Sequence, residues 1–149
     1  MLASPAASSE PAFEEFRVTA KQPLRVALVD DHEIVRQGLR WLLEVHEDIR
    51  VVGEAKDGRE AIAMAEKLKP DVIVMDVNMP GLNGIEATRR IVLEQPGMIV
   101  IGLSFASDPS VQAAMKDAGA YACLNKERAA EDIYQAIVEA MNQRPPDTT

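Results

Sequence analysis

Cysteine is almost absent from this chain: Cys123 stands alone among 149 residues, so no internal disulfide can form, and no Cys/His cluster has the spacing of zinc ligands. A reducing cytosol suits that composition. Cationic side chains are also scarce. Lys and Arg total 16 against 24 Asp and Glu, a formal charge of −8 and a pI near 4.8. Such a field repels phosphate backbones and anionic membranes, so direct nucleic-acid binding by this chain is not expected. Long apolar runs are missing as well. None approaches the ~20 residues of a membrane span, and the opening MLASPAASSEPAFEEF has neither a basic start nor an uninterrupted apolar stretch of signal-peptide length. A soluble, unexported, cytoplasmic protein is expected. Neither a G-x-x-x-x-G-K-[ST] loop nor a G-x-G-x-x-G turn occurs, which argues against nucleotide binding.

What is present is enough apolar material, 47% of the residues, for one sizeable core. Residues 1–22, rich in Ala, Ser, Pro and Glu with Phe13 and Phe16 as the large apolar anchors, read as a disordered leader compatible with a short helix over 13–18. Residues 23–142 form the domain and 143–149 a polar tail. Within the domain, short apolar runs alternate with amphipathic stretches in five pairs, as parallel strands do with crossover helices. The strands are LRVALV (24–29), RVVGEA (50–55), DVIVMD (71–76), MIVIGLS (98–104) and AYACL (120–124). A first helix carries Val35, Leu39 and Leu42 on one face. A second covers 58–68, capped by Asp57 or Gly58 and ended by Pro70, and a third covers 84–94. A fourth begins at Asp108-Pro109 with Val111, Ala114, Met115 and Ala118 buried, and a fifth spans 128–141. Trp41 and the methionines read as packing residues and His32 as a solvated helix residue, and neither His32 nor His46 has a partner motif.

Right-handed crossovers force such an alternation into a doubly wound α/β sheet, open and twisted, with helices on both faces. Ligands in these sheets bind beyond the carboxyl ends of the strands. The polar residues there are Asp30 and Asp31 after the first strand, Asp76 after the third, Ser104 after the fourth and Lys126 after the fifth. Taken singly, an Asp pair is a helix cap, Asp76 a turn-former and Lys126 a surface lysine; the conjunction points instead to one pocket. Three carboxylates in one cleft repel one another unless one is protonated or a cation is held, and a hard divalent ion such as magnesium accepts oxygen ligands from Asp30 and Asp31. The carboxylate of Asp76 is then a nucleophile toward a phosphoryl group, with Lys126 and the Ser104 hydroxyl as charge-stabilising donors.

VDDHEIVRQGLRWLLE, PDVIVMDVNMPGLNGIEATRRI, LS at 103–104 and the AGA segment leading to Lys126 stand in the order and spacing of response-regulator receiver domains. Over residues 24–141 the chain resembles that family, and its nitrate-regulator (NarL/LuxR-type) branch most. The resemblance implies a flavodoxin-like (βα)5 sandwich with a parallel sheet in the order 2-1-3-4-5. It implies phosphorylation of Asp76 by a histidine kinase or phosphotransfer protein, and magnesium among Asp30, Asp31, Asp76 and the backbone carbonyl of Asn78. Ser104 and Lys126 would contact the phosphoryl group. The chain would catalyse only its own phosphorylation and dephosphorylation. Phosphorylation would move Ser104 and a strand-five aromatic, shifting the fourth helix, fifth strand and fifth helix toward a partner-binding state and offering a homodimer surface.

Two positions depart from the family pattern. Cys123 occupies the usual aromatic switch position, with Tyr121 at the same strand parity, and the bulky Phe105 follows Ser104, where it either narrows the pocket or folds outward. Ser104, Phe105, Tyr121 and Cys123 are therefore the switch candidates. Two other functions compete: an adaptor that signals without phosphorylation, and a magnesium-dependent phosphatase of the haloacid-dehalogenase kind, which the adjacent Asp30-Asp31 pair fits poorly because that family uses Asp-x-Asp. No helix-turn-helix follows Met141, so a stand-alone receiver, a receiver cut from a longer regulator and the end of a hybrid kinase are all compatible.

Overall fold

The computed structural model describes residues 22–105 and 108–143. The leader helix considered over 13–18 lies outside them. Five parallel strands, β1 (Leu24–Val29), β2 (Ile49–Ala55), β3 (Val72–Asp76), β4 (Ile99–Ser104) and β5 (Ala122–Asn125), form one sheet in the order β2-β1-β3-β4-β5. Between and after them run α1 (Glu33–Glu44), α2 (Gly58–Leu68), α3 (Gly84–Glu94), α4 (Pro109–Ala118) and α5 (Ala129–Gln143). The doubly wound architecture and strand order expected from the sequence are those observed.

The apolar runs become strands because both of their faces are covered. Successive residues of a strand point to opposite sides, so Ala27, Val29, Ile73, Met75 and Val100 meet Ala61, Met64, Ala87, Ile91 and Met115 of α2, α3 and α4. The alternate set, Val26, Leu28, Val72, Val74, Ile101 and Leu103, meets Leu39 and Leu43 of α1 and Ile133, Ile137 and Ala140 of α5. Each such large side chain contributes roughly 1.5–3 kcal/mol on burial. Helix starts are fixed by side-chain caps. Asp57 accepts from Glu60 N–H at 2.8 Å, Asn83 from Glu86 N–H at 3.0 Å and Asp108 from Ser110 N–H at 2.9 Å, the last with Pro109 in the first turn. Of the two caps considered for the second helix, Asp57 is the one used. Gly119, at φ 113°, ends α4 in the left-handed conformation.

Several sequence expectations need correction. β5 starts at Ala122, two residues later than expected, and Lys126–Arg128 form a single 3-10 turn ahead of α5. Leu43 is fully buried whereas Leu42 is only partly so. Trp41, read as a packing residue, is 77% exposed. Its position explains why: two residues beyond Leu39 lies about 200° around a helix, on the face away from the sheet. Ile34 and Val45 are exposed with it. The methionine expectation holds for Met64, Met75, Met79, Met98 and Met115, all buried. His46, for which the sequence offered no partner motif, stacks on Tyr134 with ring centroids 3.6 Å apart, and the Tyr134 hydroxyl donates to Asp48 at 2.8 Å. Those contacts tie α5 to the turn between α1 and β2.

Leu43→Ala should therefore cost about 2–5 kcal/mol in urea unfolding, and Trp41→Ala less than ~0.5 kcal/mol. Equal losses would show that Trp41 is covered in solution.

Candidate functional site

Parallel strands bring their carboxyl ends to one edge of the sheet, and there the acidic residues meet. Asp30 directly follows β1 and Asp76 is the last residue of β3; their side chains are 1% and 0% exposed. The neighbouring backbone holds both. Oδ1 of Asp30 accepts from His32 N–H at 2.8 Å, and Oδ1 of Asp76 accepts from Asn78 N–H at 3.0 Å. Gly84, at the start of α3, packs so close beneath the loop after β3 that an added Cβ would lie 2.2 Å from the Asp76 carbonyl oxygen. Only glycine fits there.

Lys126 joins the two strands' carboxylates. Its Nζ lies 2.9 Å from Asp30 Oδ2 and 3.2 Å from Asp76 Oδ1, with the side chain 7% exposed. Ser104, also buried, ends β4 opposite Asn125, the residue before Lys126. Asp31 sits at the rim, less deeply buried.

The charges in this pocket do not balance locally. Burial, and then the nearby Asp30 charge, push the Asp76 carboxyl up to about 6 against the opposing pull of the Asn78 N–H and Lys126. Burial alone would lower the Lys126 ammonium, but the bonds and charges of Asp30 and Asp76 outweigh it and the net shift is upward. One ammonium thus faces the carboxylates of Asp30 and Asp76, with Asp31 beside Asp30 at the rim. Oδ2 of Asp76 is buried without a hydrogen-bond donor among the described residues. An orphaned carboxylate oxygen beside further carboxylates is the donor chemistry a hard cation requires. Ligand atoms of Asp30, Asp31 and His32 lie within 4.8 Å of one another.

Sequence reasoning missed two supports. His32, expected to be solvated, has an exposed ring, but its Nδ1 is 3.2 Å from both Asp30 Oδ1 and Asp31 Oδ1. Arg36 Nη1 donates to the Asp30 carbonyl at 2.6 Å while its Nε donates to Glu54 at 2.8 Å. The first turn of α1 after an Asp-Asp pair was the available signal for both.

The structure also gives the positions of Phe105, Tyr121 and Cys123. Phe105 remains 60% exposed, yet its ring centroid lies 4.5 Å from Lys126 Nζ, so it reaches across the pocket edge without being buried. Tyr121 and Cys123, expected to share a side, do not. Tyr121 precedes β5 in a bend, where the two-residue alternation of a strand does not hold, and packs with the α1/α5 core. Cys123 packs with the α2–α4 core, and burial pushes its thiol up, away from the reactive thiolate.

Residues 26–138 match the family described as the response regulator receiver domain. The chain belongs to that family. It is 46% identical over 124 residues to the transcriptional regulatory protein LiaR of Bacillus subtilis, spanning 82% of this chain and 58% of that protein. It is 44% identical over 115 residues to the response regulator VraR of Staphylococcus aureus, 76% of this chain and 54% of that one. This receiver therefore spans little more than half the length of these relatives. Among solved structures it is similar to a LuxR-family two-component response regulator from Aurantimonas sp. (TM-score 0.78, 33% identity, 85% of this chain and 91% of that chain). It is also similar to the NarL receiver domain of Mycobacterium tuberculosis (TM-score 0.78, 28% identity, 83% and 99%). The fold and the family agree: this is a receiver domain of the two-component response-regulator kind, similar to the NarL/LuxR branch.

A buried carboxyl raised to about 6 keeps its proton where the unfolded chain has lost it. Asp76 should thus make the metal-free receiver lose stability as pH rises from ~4 to ~6.5. Asp76→Asn should flatten that slope and gain roughly 1–3 kcal/mol at pH 7.5 in urea unfolding without divalent cations. A steeper slope in the variant would contradict this electrostatic description.

Proposed function

We propose that Asp76 accepts a phosphoryl group from a phosphohistidine on a histidine kinase or phosphotransfer protein. The observation that carries this reading is the buried Oδ2 of Asp76, which has no donor among the described residues, set beside a lysine that already bridges Asp76 and Asp30. In the transfer, an oxygen of the Asp76 carboxylate bonds to phosphorus as the phosphorus–nitrogen bond of the donor breaks. The Asn78 N–H orients the carboxylate, and Lys126 turns from the carboxylates toward the phosphoryl oxygens, where its charge offsets theirs. The Ser104 hydroxyl, at the end of the neighbouring strand, supplies a further donor.

Asp30, Asp31, Asp76 and the backbone carbonyl of Asn78 would hold magnesium, as their oxygen donors favour. When bound, the ion offsets the carboxylate charge and that of the incoming phosphoryl group. On this reading the receiver acts only on its own aspartyl phosphate and turns over no separate substrate. No helix among the described residues is long and apolar enough to cross a membrane; the net charge of −8 disfavours direct nucleic-acid contact, and the reading places the receiver's action in the cytoplasm. Movement of Ser104 would pass to α4, β5 and α5. The edge position of β5, with all of its residues partly exposed, favours that surface for a homodimer and for control of an output outside this chain.

Incubation with acetyl phosphate and magnesium should add one phosphoryl mass, labile to hydroxylamine and lost in Asp76→Asn or with a chelator. No adduct from this donor or a phosphohistidine donor would favour the phosphorylation-independent adaptor. Sedimentation velocity should show a larger fraction of dimer after phosphorylation; unchanged monomers would remove the dimer from this account.

A further inference from the structure

Phe105 is one of five large apolar side chains exposed among the described residues, and the one whose ring meets a charge of the pocket. The sheet register places it there. Ser104 pairs with Asn125 across β4 and β5, so the next residues along the two chains, Phe105 and the start of the 3-10 turn at Lys126, leave the sheet side by side. The ammonium has three protons to satisfy. It meets carboxylate oxygens at 2.9 and 3.2 Å, and the Phe105 ring at 4.5 Å. A cation attracted to the face of an aromatic ring gains most where water is excluded, and the Lys126 side chain is only 7% exposed although it reaches the mouth of the pocket.

We propose that Phe105 is a positioning residue for Lys126, an aromatic cover that holds the ammonium over the phosphoryl-accepting carboxylates and limits the approach of water to the aspartyl phosphate. The inference rests on Asp76 being the phosphoacceptor. In hydrolysis of that intermediate, a water oxygen bonds to phosphorus, the bond from phosphorus to the Asp76 oxygen breaks, and inorganic phosphate leaves. A ring beside the ammonium excludes part of the solvent from which that water comes, and keeps Lys126 paired with the phosphoryl oxygens instead of with bulk water. Phe105 thereby sets the lifetime of the phosphorylated state without touching the reacting atoms.

Two measurements on the full chain test this, using Phe105→Leu and Phe105→Ala with Phe105→Tyr and Phe105→Trp as aromatic replacements. The first is the NMR shift of the Lys126 Hε protons, which the ring should move upfield in the wild type, and which Leu and Ala should return to ordinary values while Tyr and Trp preserve it. The second is the decay of the phosphorylated mass in magnesium after the donor is removed. Leu and Ala should shorten the lifetime about three- to tenfold, with Tyr and Trp restoring it. Hε shifts indifferent to the ring, or equal lifetimes across all five proteins, would overturn the assignment of Phe105. A wild-type chain with the ring-shifted lysine but no phosphoryl uptake would instead overturn the phosphoacceptor reading, and the lifetime role with it.

Discussion

The ammonium of Lys126, placed between Asp30 and Asp76, is the contact on which the site depends. It draws together residues that are distant in sequence, and the folding of β1, β3 and β5 into one parallel sheet is what brings them within 3.2 Å. Two nearly fully buried carboxylates and one ammonium are expensive to desolvate, and such a group adds little net stability. Its cost is met by the apolar layers on either side of β3 and β4, where every residue of both strands is buried. The apolar core and the charged site are therefore parts of one arrangement: the core holds charges where they are poorly compensated, which is the condition the proposed cation and phosphoryl group would relieve.

The same imbalance gives each neighbouring residue its part. Asn78 fixes the direction of the Asp76 carboxylate, His32 and Arg36 hold Asp30 from its backbone and side-chain ends, and Gly84 lets α3 close beneath the loop. Asp76 is left with one buried oxygen that has no donor among the described residues. A structural carboxylate at a strand end would ordinarily cap an N–H with both oxygens or turn one toward water.

Much of this was legible in the sequence. VIVMD and IVIGLS are apolar on both alternations, so they had to be central parallel strands, and polar residues just after them had to gather at one edge. The order of Asp30-Asp31, Asp76, Ser104 and Lys126 then followed from topology. What periodicity misassigned were residues whose neighbours come from elsewhere in the chain. Trp41 looked like core by composition although its helical angle sends it outward, and His46 found its partner Tyr134 on α5, a contact no local pattern encodes. The parity argument for Tyr121 and Cys123 failed because it extended a strand beyond its true start at Ala122. Phe105 could be recognised as unusual, but its place beside Lys126 required the β4–β5 register.

Asp76, and no other carboxylate of the pocket, is proposed to take the phosphoryl group. Borohydride reduction of the phosphorylated receiver followed by peptide mapping tests it most directly, because an aspartyl phosphate is reduced to homoserine at the position that carried it. A single reduced position is expected, in the peptide containing VIVMD, at Asp76. Reduction at Asp30 or Asp31, or at several carboxylates without preference, would contradict it.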